Sequence, residues 1–479
     1  MKEKKIYSNI IYSCLIQLSA IIAPLITTPY VARVFNPDLI GKYSYTYANS
    51  NYFTMIECLG LTLYGTIEIA KIRDDKQKRS KVFWEIAGIK FFLTVGCTLI
   101  YIFVFLYLGN AEYHKLYLVM ILNLWAVGLD ISWFLNGLEE FRTTAIRSVL
   151  VRIINIILIL AFVKTSNDLL KYAIIMQGCT FVSYILLFSA TKNKICFISL
   201  KKLEYIGHLK KSMVYFVPGL ITTLFASTDK TILGALSTTY EVGLYDQAYK
   251  ICQLLAGMIS AVSNALLPRA TYLNSNQETN EAAKKLFKNS IVIGSFLAFP
   301  VCFGVAAISN SFVMVFLGNE YEKSAVLLRI LCINVFFIAM SNFFGQQSLM
   351  ARGKQKEYNI SIIVSVIINI ILNLILVNKL KAVGVCIASA VSGIVEFAMI
   401  YYYGRDMLTI KEIKKNIYKY LFSTLLMFVA VYPITIINQW ITVIMQITLG
   451  IVIYIAMLLI LKDELISSVL TKKRRKINN

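Results

Sequence analysis

Charged residues inside long apolar segments are the side chains of this sequence that could do chemistry. Glu57, Asp130, Arg152 and Lys250 each lie well inside such a segment. A charged side chain at the centre of a bilayer costs about 2.5–3.5 kcal/mol on insertion scales, so these groups are expected to face a cavity or to pair. Because carboxylates and cations are mixed, the pattern predicts a path for an amphiphile with an anionic head, or for a coupled proton or sodium ion.

Other charges in the apolar segments have simpler explanations. Asp246 and Lys250 stand four residues apart on one predicted helix, which favours a local ion pair. Arg33, Glu85 and Arg147 lie near segment ends, where a long side chain can extend its charged group to the interface. We therefore expect these last three groups to sit at the membrane surface.

Motifs for covalent, metal or nucleotide chemistry are missing from the sequence. It contains no phosphate loop, no H-E-x-x-H and no G-x-S-x-G. The nine cysteines occur without a C-x-x-C pair, and only two histidines are present. The sequence therefore predicts no catalytic residue, no metal site and no cofactor, and it argues against an enzyme. Energy for moving a substrate has to come from an ion gradient, the membrane potential or the substrate gradient.

The elements that hold these charges are predicted to be transmembrane helices. The chain has 479 residues, of which 58% are hydrophobic and 15% charged, with a mean hydropathy of +0.67. These values exclude a soluble enzyme, a disordered chain and a disulfide-rich secreted module. The apolar segments are too long and too uniform for a membrane β-barrel. At about 20 residues for each span, we predict an all-α, polytopic membrane protein with about fourteen transmembrane helices, including single spans near 43–70 and 116–138.

Basic residues cluster in alternate loops of this topology. The chain carries 48 Lys and Arg against 26 Asp and Glu, a formal net charge of +22. The basic residues concentrate at the N-terminus, in every second loop and after residue 461. By the positive-inside rule, both termini are expected to be cytoplasmic. The orientation of the spans in the membrane accounts for the net positive charge. Nucleic-acid binding is not expected, because no loop is long enough to form a basic folded face.

A short pattern recurs in the two halves of the chain. Pro24 lies in the first predicted span and Pro218 in the seventh, and the similar segments 40–43 and 242–245 open the spans that follow. This repetition predicts two six-helix halves, residues 1–195 and 196–410. Residues 411–479 would then add two extra helices and a basic cytoplasmic tail.

Several segments together resemble bacterial polysaccharide flippases of the Wzx type. The first-span run I-T-T-P-Y-V-A-R-V-F, the fourth-span run D-I-S-W-F and the later run D-K-T-I-L-G are similar to motifs of that family. The resemblance extends over essentially the whole chain and is densest in residues 20–145. The segments that carry it are 26–35, 40–45, 64–65, 68–75, 130–134, 137–142, 229–234 and 242–245.

The resemblance implies membership of the multidrug/oligosaccharidyl-lipid/polysaccharide exporter superfamily. It implies two six-helix lobes around a central cavity, and alternating access. The substrate would be an undecaprenyl-diphosphate-linked oligosaccharide repeat unit, moved from the inner to the outer leaflet of the bacterial cell membrane for cell-surface polysaccharide assembly. The two extra helices would shape a groove for the lipid tail, ion-gradient coupling would drive the cycle, and a polysaccharide polymerase would be a partner.

This substrate suggests a division of labour among the side chains. Cations would meet the diphosphate, and a polar cavity would shelter sugar hydroxyls that cannot be left unsatisfied in hydrocarbon. The prenyl tail would stay in lipid. The expected headgroup contacts are Arg33, Arg152, Lys230 and Lys250, and the expected residues for ion coupling or charge balance are Glu57, Asp130, Asp229 and Asp246.

Two alternatives remain open at this point. One is a multidrug or cation antiporter of the same superfamily, which the fourth-span D-x-x-W-F pattern disfavours. The other is a membrane glycosyltransferase or polysaccharide polymerase. Such an enzyme needs a large loop with catalytic groups, whereas the longest loops here, near 191–210 and 270–287, are short and rich in lysine.

Overall fold

The chain folds as α-helices joined by short connections, as predicted. The computed structural model describes residues 2–199, 203–274, 280–408 and 410–466. Contacts between residues divide the chain into two compact units, Met1–Gly243 and Leu244–Asn479. The division expected from the sequence repeat, into residues 1–195, 196–410 and 411–479, remains a prediction.

The first unit contains nine helices and the start of a tenth within its described residues. They are α1 (Lys2–Val34), α2 (Pro37–Cys58), α3 (Leu61–Lys71), α4 (Lys76–Ile102), α5 (His114–Gly128), α6 (Ser132–Gly137), α7 (Phe141–Phe162), α8 (Leu169–Leu187), α9 (Ile206–Leu236) and α10 (Thr239–Asn274). Helix α10 continues into the second unit. The helices that follow there are α11 (Asn280–Phe316), α12 (Ser324–Phe344), α13 (Gln355–Gly404), α14 (Ile410–Val431) and α15 (Gln439–Ile460).

The helices are long and apolar enough to cross a membrane many times. Within the described ranges, 11 helical segments meet the length and hydropathy expected of a span. Helix α13 has 50 residues and bends at Lys381, whose φ of 49° is not helical, so it consists of two successive helices. The protein is therefore an all-α, multi-pass membrane protein, while the total of fourteen spans stays a prediction.

Two of the predicted spans are each broken into two helices. The segment predicted near 43–70 is divided between α2 and α3 by Leu59 and Gly60, which have φ values of 34° and 72°. A Cβ on Gly60 would lie 2.5 Å from the carbonyl oxygen of Ser212 on α9, so this position requires glycine for both conformation and space. The segment predicted near 116–138 is interrupted between Gly128 and Ser132, where α5 ends and α6 begins.

An aromatic cluster fixes the helices around these breaks. Trp133 of the D-x-x-W-F motif is fully buried, with its ring 5.8 Å from that of Phe83. Phe134 packs edge-on against Phe83 at 4.9 Å. A Cβ on Gly65 would lie 2.5 Å from the Trp133 ring, so this glycine lets α3 pack directly on the indole. The motif therefore holds α3, α4 and α6 together.

Candidate functional site

Glu57 lies at the end of α2, immediately before the first helix break. Its side chain is 0% exposed. Neither carboxylate oxygen has a hydrogen-bond partner among the residues that the structure describes. An isolated carboxylate in such a place is energetically costly in its charged form. Glu57 is therefore suited to gaining and losing a proton, or to meeting a cation.

Lys90 of α4 supplies a positive charge near this carboxylate. Its side chain is 1% exposed, and its charge acts on Glu57. The ammonium group donates a hydrogen bond of 2.8 Å to the backbone carbonyl of Asp130. Glu57, Lys90 and Asp130 all interact electrostatically with the Cys58 thiol, which places them in one neighbourhood. We call these three residues the α2–α4–α5 charge cluster.

Asp130 stands in the break between α5 and α6. Its carboxylate accepts a hydrogen bond of 2.7 Å from the backbone N–H of Ser132, the first residue of α6. The break itself is held against α4, because a Cβ on Gly128 would lie 2.1 Å from the hydroxyl oxygen of Thr94. The close contact at Gly128 and the hydrogen bond to Ser132 thus position the Asp130 carbonyl for Lys90.

A belt of hydrogen-bonded neutral polar side chains joins α2, α5 and α9 in the first unit. The Asn49 amide donates to the Tyr117 hydroxyl at 3.0 Å, and the Thr231 hydroxyl donates to Asn49 at 2.9 Å. Asn123 donates to the Ser50 hydroxyl at 3.0 Å. Interhelical hydrogen bonds of this kind hold transmembrane helices together and supply groups that can replace water around a polar solute.

Asp229 and Lys230 lie on α9 within the stretch that faces this belt. Asp229 is buried and Lys230 is half-buried. Their neighbours Ser227 and Thr231 contact Asn51 and Asn49 of α2, at 3.4 and 2.9 Å. The structure thus brings the D-K-T-I-L-G motif of α9 to the polar side of α2.

In the second unit, the expected ion pair between Asp246 and Lys250 is present. The Lys250 ammonium lies 2.6 Å from the Asp246 carboxylate, one turn away on α10. Asp246 is fully buried, whereas the Lys250 side chain is 36% exposed. The pair therefore neutralises the buried carboxylate and leaves part of the cation accessible.

The other two predicted cations lie on or against α1. Arg152 of α7 donates to the Ile16 carbonyl at 2.8 Å and also to the Ser19 hydroxyl. Arg33 is exposed near the end of α1 and donates to the Pro29 carbonyl at 3.0 Å. No direct hydrogen bond or ion pair joins Arg152 to Glu57 or Asp130 in the described part of the first unit.

The sequence did not indicate the contact made by Lys90 or the burial of Glu85. Glu85 is covered by protein: it is 2% exposed, and its carboxylate lies 2.8 Å from His208 Nε2. The Tyr64 hydroxyl lies 2.7 Å from His208 Nδ1. Because a carboxylate only accepts, His208 Nε2 donates the hydrogen bond to Glu85. No sequence motif indicated this contact, because 123 residues separate His208 from Glu85.

An apolar groove of about 480 Å³ lies in the second unit. Helices α10, α11, α14 and α15 provide its walls, with Pro300 and Gly304 on one side and Gly450 on the other. Gln446 and Tyr454 are the polar residues in its described lining. A surface of this size and composition fits a hydrocarbon chain. Among the described residues, no group of three or more His, Cys, Asp or Glu could hold a metal ion.

The sequence and the fold are similar to those of known transport proteins. An Escherichia coli K12 protein named as an O-antigen transporter is 26% identical over 391 residues, covering 79% of this chain and 92% of its own. The solved structure of the lipid II flippase MurJ in an inward closed conformation matches with a TM-score of 0.77. It has 14% sequence identity and covers 96% of this chain and 100% of that one.

A second solved structure has the same fold at lower similarity. It is an inward-facing multidrug resistance transporter of the MATE family, with a TM-score of 0.61, 16% identity, and coverage of 84% of this chain and 98% of its own. At these identities the likeness establishes the fold. The family model described as "Polysaccharide biosynthesis protein" matches residues 6–273. Since that match includes more than half of the chain, the protein belongs to this polysaccharide biosynthesis family.

Proposed function

We propose that this protein is a flippase for lipid-linked oligosaccharides. In this proposal it moves undecaprenyl-diphosphate-linked repeat units from the inner to the outer leaflet by alternating access, for assembly of a cell-surface polysaccharide. The membrane is the bacterial cytoplasmic membrane, and both termini are cytoplasmic. A polysaccharide polymerase would use the delivered units.

The observation that carries the proposal is the α2–α4–α5 charge cluster inside a many-span chain of a polysaccharide biosynthesis family. Two of its three charged residues, Glu57 and Asp130, lie at helix breaks, although charge within the membrane is costly. In membrane proteins, irregular backbone at membrane depth is tolerated where it is buried in protein or lines a water-filled cavity. Both features are expected of a transporter.

The parts of the substrate correspond to different surfaces. The partly accessible cations Arg33, Arg152, Lys230 and Lys250 are the candidates to meet the diphosphate. Neutral amides and hydroxyls of the α2–α5–α9 belt can replace water around sugar hydroxyls. The apolar groove beside α14 and α15 can hold the prenyl tail.

Ion coupling is assigned to the carboxylates. Glu57 is the first candidate, because its oxygens are buried and have no hydrogen-bond partner in the described structure. Asp130 and Asp229 could balance charge as the cycle proceeds, and Asp246 already balances Lys250. The coupled ion is a proton or a sodium ion.

Depletion of the protein in growing cells tests the proposal. Undecaprenyl-linked oligosaccharide should accumulate on the cytoplasmic side, while its synthesis continues and polymer at the surface falls. A multidrug antiporter would instead leave the glycolipid distribution unchanged and alter sensitivity to cationic drugs. Normal outward delivery of the glycolipid after depletion would contradict the proposal.

A further inference from the structure

The first unit has an apolar groove between α7 and α8 that the proposed function does not use. It encloses about 600 Å³. Leu150 and Ile154 of α7 and Val182 and Leu186 of α8 line it, and all four are exposed on the membrane-facing surface. We call this surface the α7–α8 groove. Its polar side chains include Arg147 and Ser183, which lie next to each other near one end.

Arg147 brings an uncompensated positive charge to this groove. Its guanidinium donates to the hydroxyls of Ser183 and Ser148 at 3.1 and 3.3 Å, and lies 4.2 Å from the centre of the Tyr184 ring. Its Nε is buried and has no hydrogen-bond partner. No Asp or Glu forms an ion pair with Arg147 in the described ranges of the chain. A charge in this position lacks the paired anion that burial normally requires.

The distance along the groove matches one leaflet. Leu158, the last α7 residue that lines the groove, stands eleven positions after Arg147. At about 1.5 Å for each residue, this stretch measures about 16 Å, close to half of a hydrocarbon core about 30 Å thick. A cation at one end and an apolar trough of one leaflet's depth are complementary to a phospholipid with an anionic head.

We propose that the α7–α8 groove binds an anionic phospholipid of the surrounding bilayer. The phosphate accepts hydrogen bonds from the Arg147 guanidinium, and one acyl chain lies along Leu150, Ile154, Val182 and Leu186. Arginine suits this role because its planar donors match phosphate oxygens. The occupant is a bilayer lipid and not the transported glycolipid, because the lining is apolar beyond the Arg147 end and offers no shelter to an oligosaccharide.

The groove can be filled without changing its charge. Gly178 of α8 lines the groove, and the nearest atom to a Cβ added there is a side-chain carbon of Ile174 at 4.0 Å. A leucine at this position therefore projects into open space and occupies the path of the acyl chain. Gly178→Leu should block the path of the acyl chain, and Arg147→Gln should remove the contact with the phosphate. The two variants therefore test binding of the same lipid independently.

Native mass spectrometry of the purified full-length protein tests the proposal. The probes are palmitoyl-oleoyl phosphatidylglycerol and, as the zwitterionic control, palmitoyl-oleoyl phosphatidylcholine. We expect tighter retention of phosphatidylglycerol by the natural protein, and a loss of affinity of about tenfold or more in both variants. Arg142→Gln is the matched control, since Arg142 is exposed on the same helix and does not line the groove, and it should bind as the natural protein does.

Three results would overturn the proposal. The first is equal retention of the two lipids by the natural protein. The second is unchanged phosphatidylglycerol binding in Gly178→Leu, which keeps the arginine and therefore remains informative even if Arg147→Gln folds poorly. The third is displacement of phosphatidylglycerol by undecaprenyl diphosphate with the same sensitivity to both variants, which would assign the groove to the substrate.

Discussion

The side-chain ammonium of Lys90 donates a hydrogen bond of 2.8 Å to the backbone carbonyl of Asp130. The bond joins the continuous helix α4 to the break between α5 and α6. Helix breaks release carbonyl groups from their usual partners, and inside a membrane such groups need another donor. One lysine therefore stabilises a discontinuous helix and places positive charge beside Glu57.

Replacement of Lys90 by methionine should weaken the first unit. The change keeps a side chain of similar length but leaves the Asp130 carbonyl without its donor, which costs about 1–3 kcal/mol. Thermal unfolding of the purified protein in detergent should shift to lower temperature. Lys76→Met provides a control, because Lys76 is exposed at the start of the same helix. An unfolding temperature equal to that of the control would contradict this function of Lys90.

Glu57→Gln should separate stability from ion coupling. The amide has almost the same shape and cannot ionise, so the protein should fold and insert as before. Gradient-driven transport should fall by at least about fivefold, the lower range of measured coupling between sites. The measurement is the transport rate with and without an imposed proton or sodium gradient. If Glu57→Gln responds to the gradient like the natural protein, Glu57 does not couple the ion.

Glu85 and His208 should depend on each other energetically. The 2.8 Å contact connects α4 to the start of α9, and removing His208 leaves a buried carboxylate with one fewer partner. Glu85→Gln and His208→Ala should each destabilise the fold, and the double variant should lose less than the sum. Interaction energies for residues in contact are about 0.5–3 kcal/mol. Strictly additive effects in a double-mutant cycle would show that Glu85 and His208 have no interaction energy.

A pH dependence is expected from Asp406 in the connection after α13. Arg352 lies 2.6 Å from its carboxylate, and this hydrogen bond holds the pKa of Asp406 below its usual range. A lowered folded-state pKa gives stability that is present above the unfolded pKa, about 3.9, and is lost as pH falls through the folded value. Because the side chain is 48% exposed, the contribution should stay below about 1 kcal/mol.

Asp406→Asn provides the test of this contribution. The difference in unfolding free energy between the natural protein and the variant should be constant near neutral pH and shrink as the pH falls below about 4. A difference that stays the same from pH 7 to pH 3 would mean that the Arg352 contact does not stabilise the carboxylate.

The sequence was sufficient for the fold class. Long apolar segments predicted an all-α membrane protein, and the insertion cost of charge selected Glu57 and Asp130. The breaks at Leu59 and Asp130 were missed because apolar periodicity continues through them. Leu59 adopts a positive φ that its residue type does not signal.

Contacts between distant residues were also beyond prediction. Lys90 reaches Asp130 across 40 residues, and His208 reaches Glu85 across 123. Glu85 was expected at the surface from its place near a segment end, but α9 covers it and supplies its partner. Depth in the membrane can be read from position along a helix, whereas the facing partner depends on helix packing.

The most direct test of the central claim is transport by the purified protein in liposomes. The probe is a fluorescent undecaprenyl-diphosphate oligosaccharide, and the readout is its exposure on the opposite leaflet to a membrane-impermeant quencher. We predict protein-dependent exchange that an imposed proton or sodium gradient accelerates and that Glu57→Gln slows. A rate equal to that of protein-free liposomes, with and without a gradient, would contradict the claim that this protein moves lipid-linked oligosaccharides.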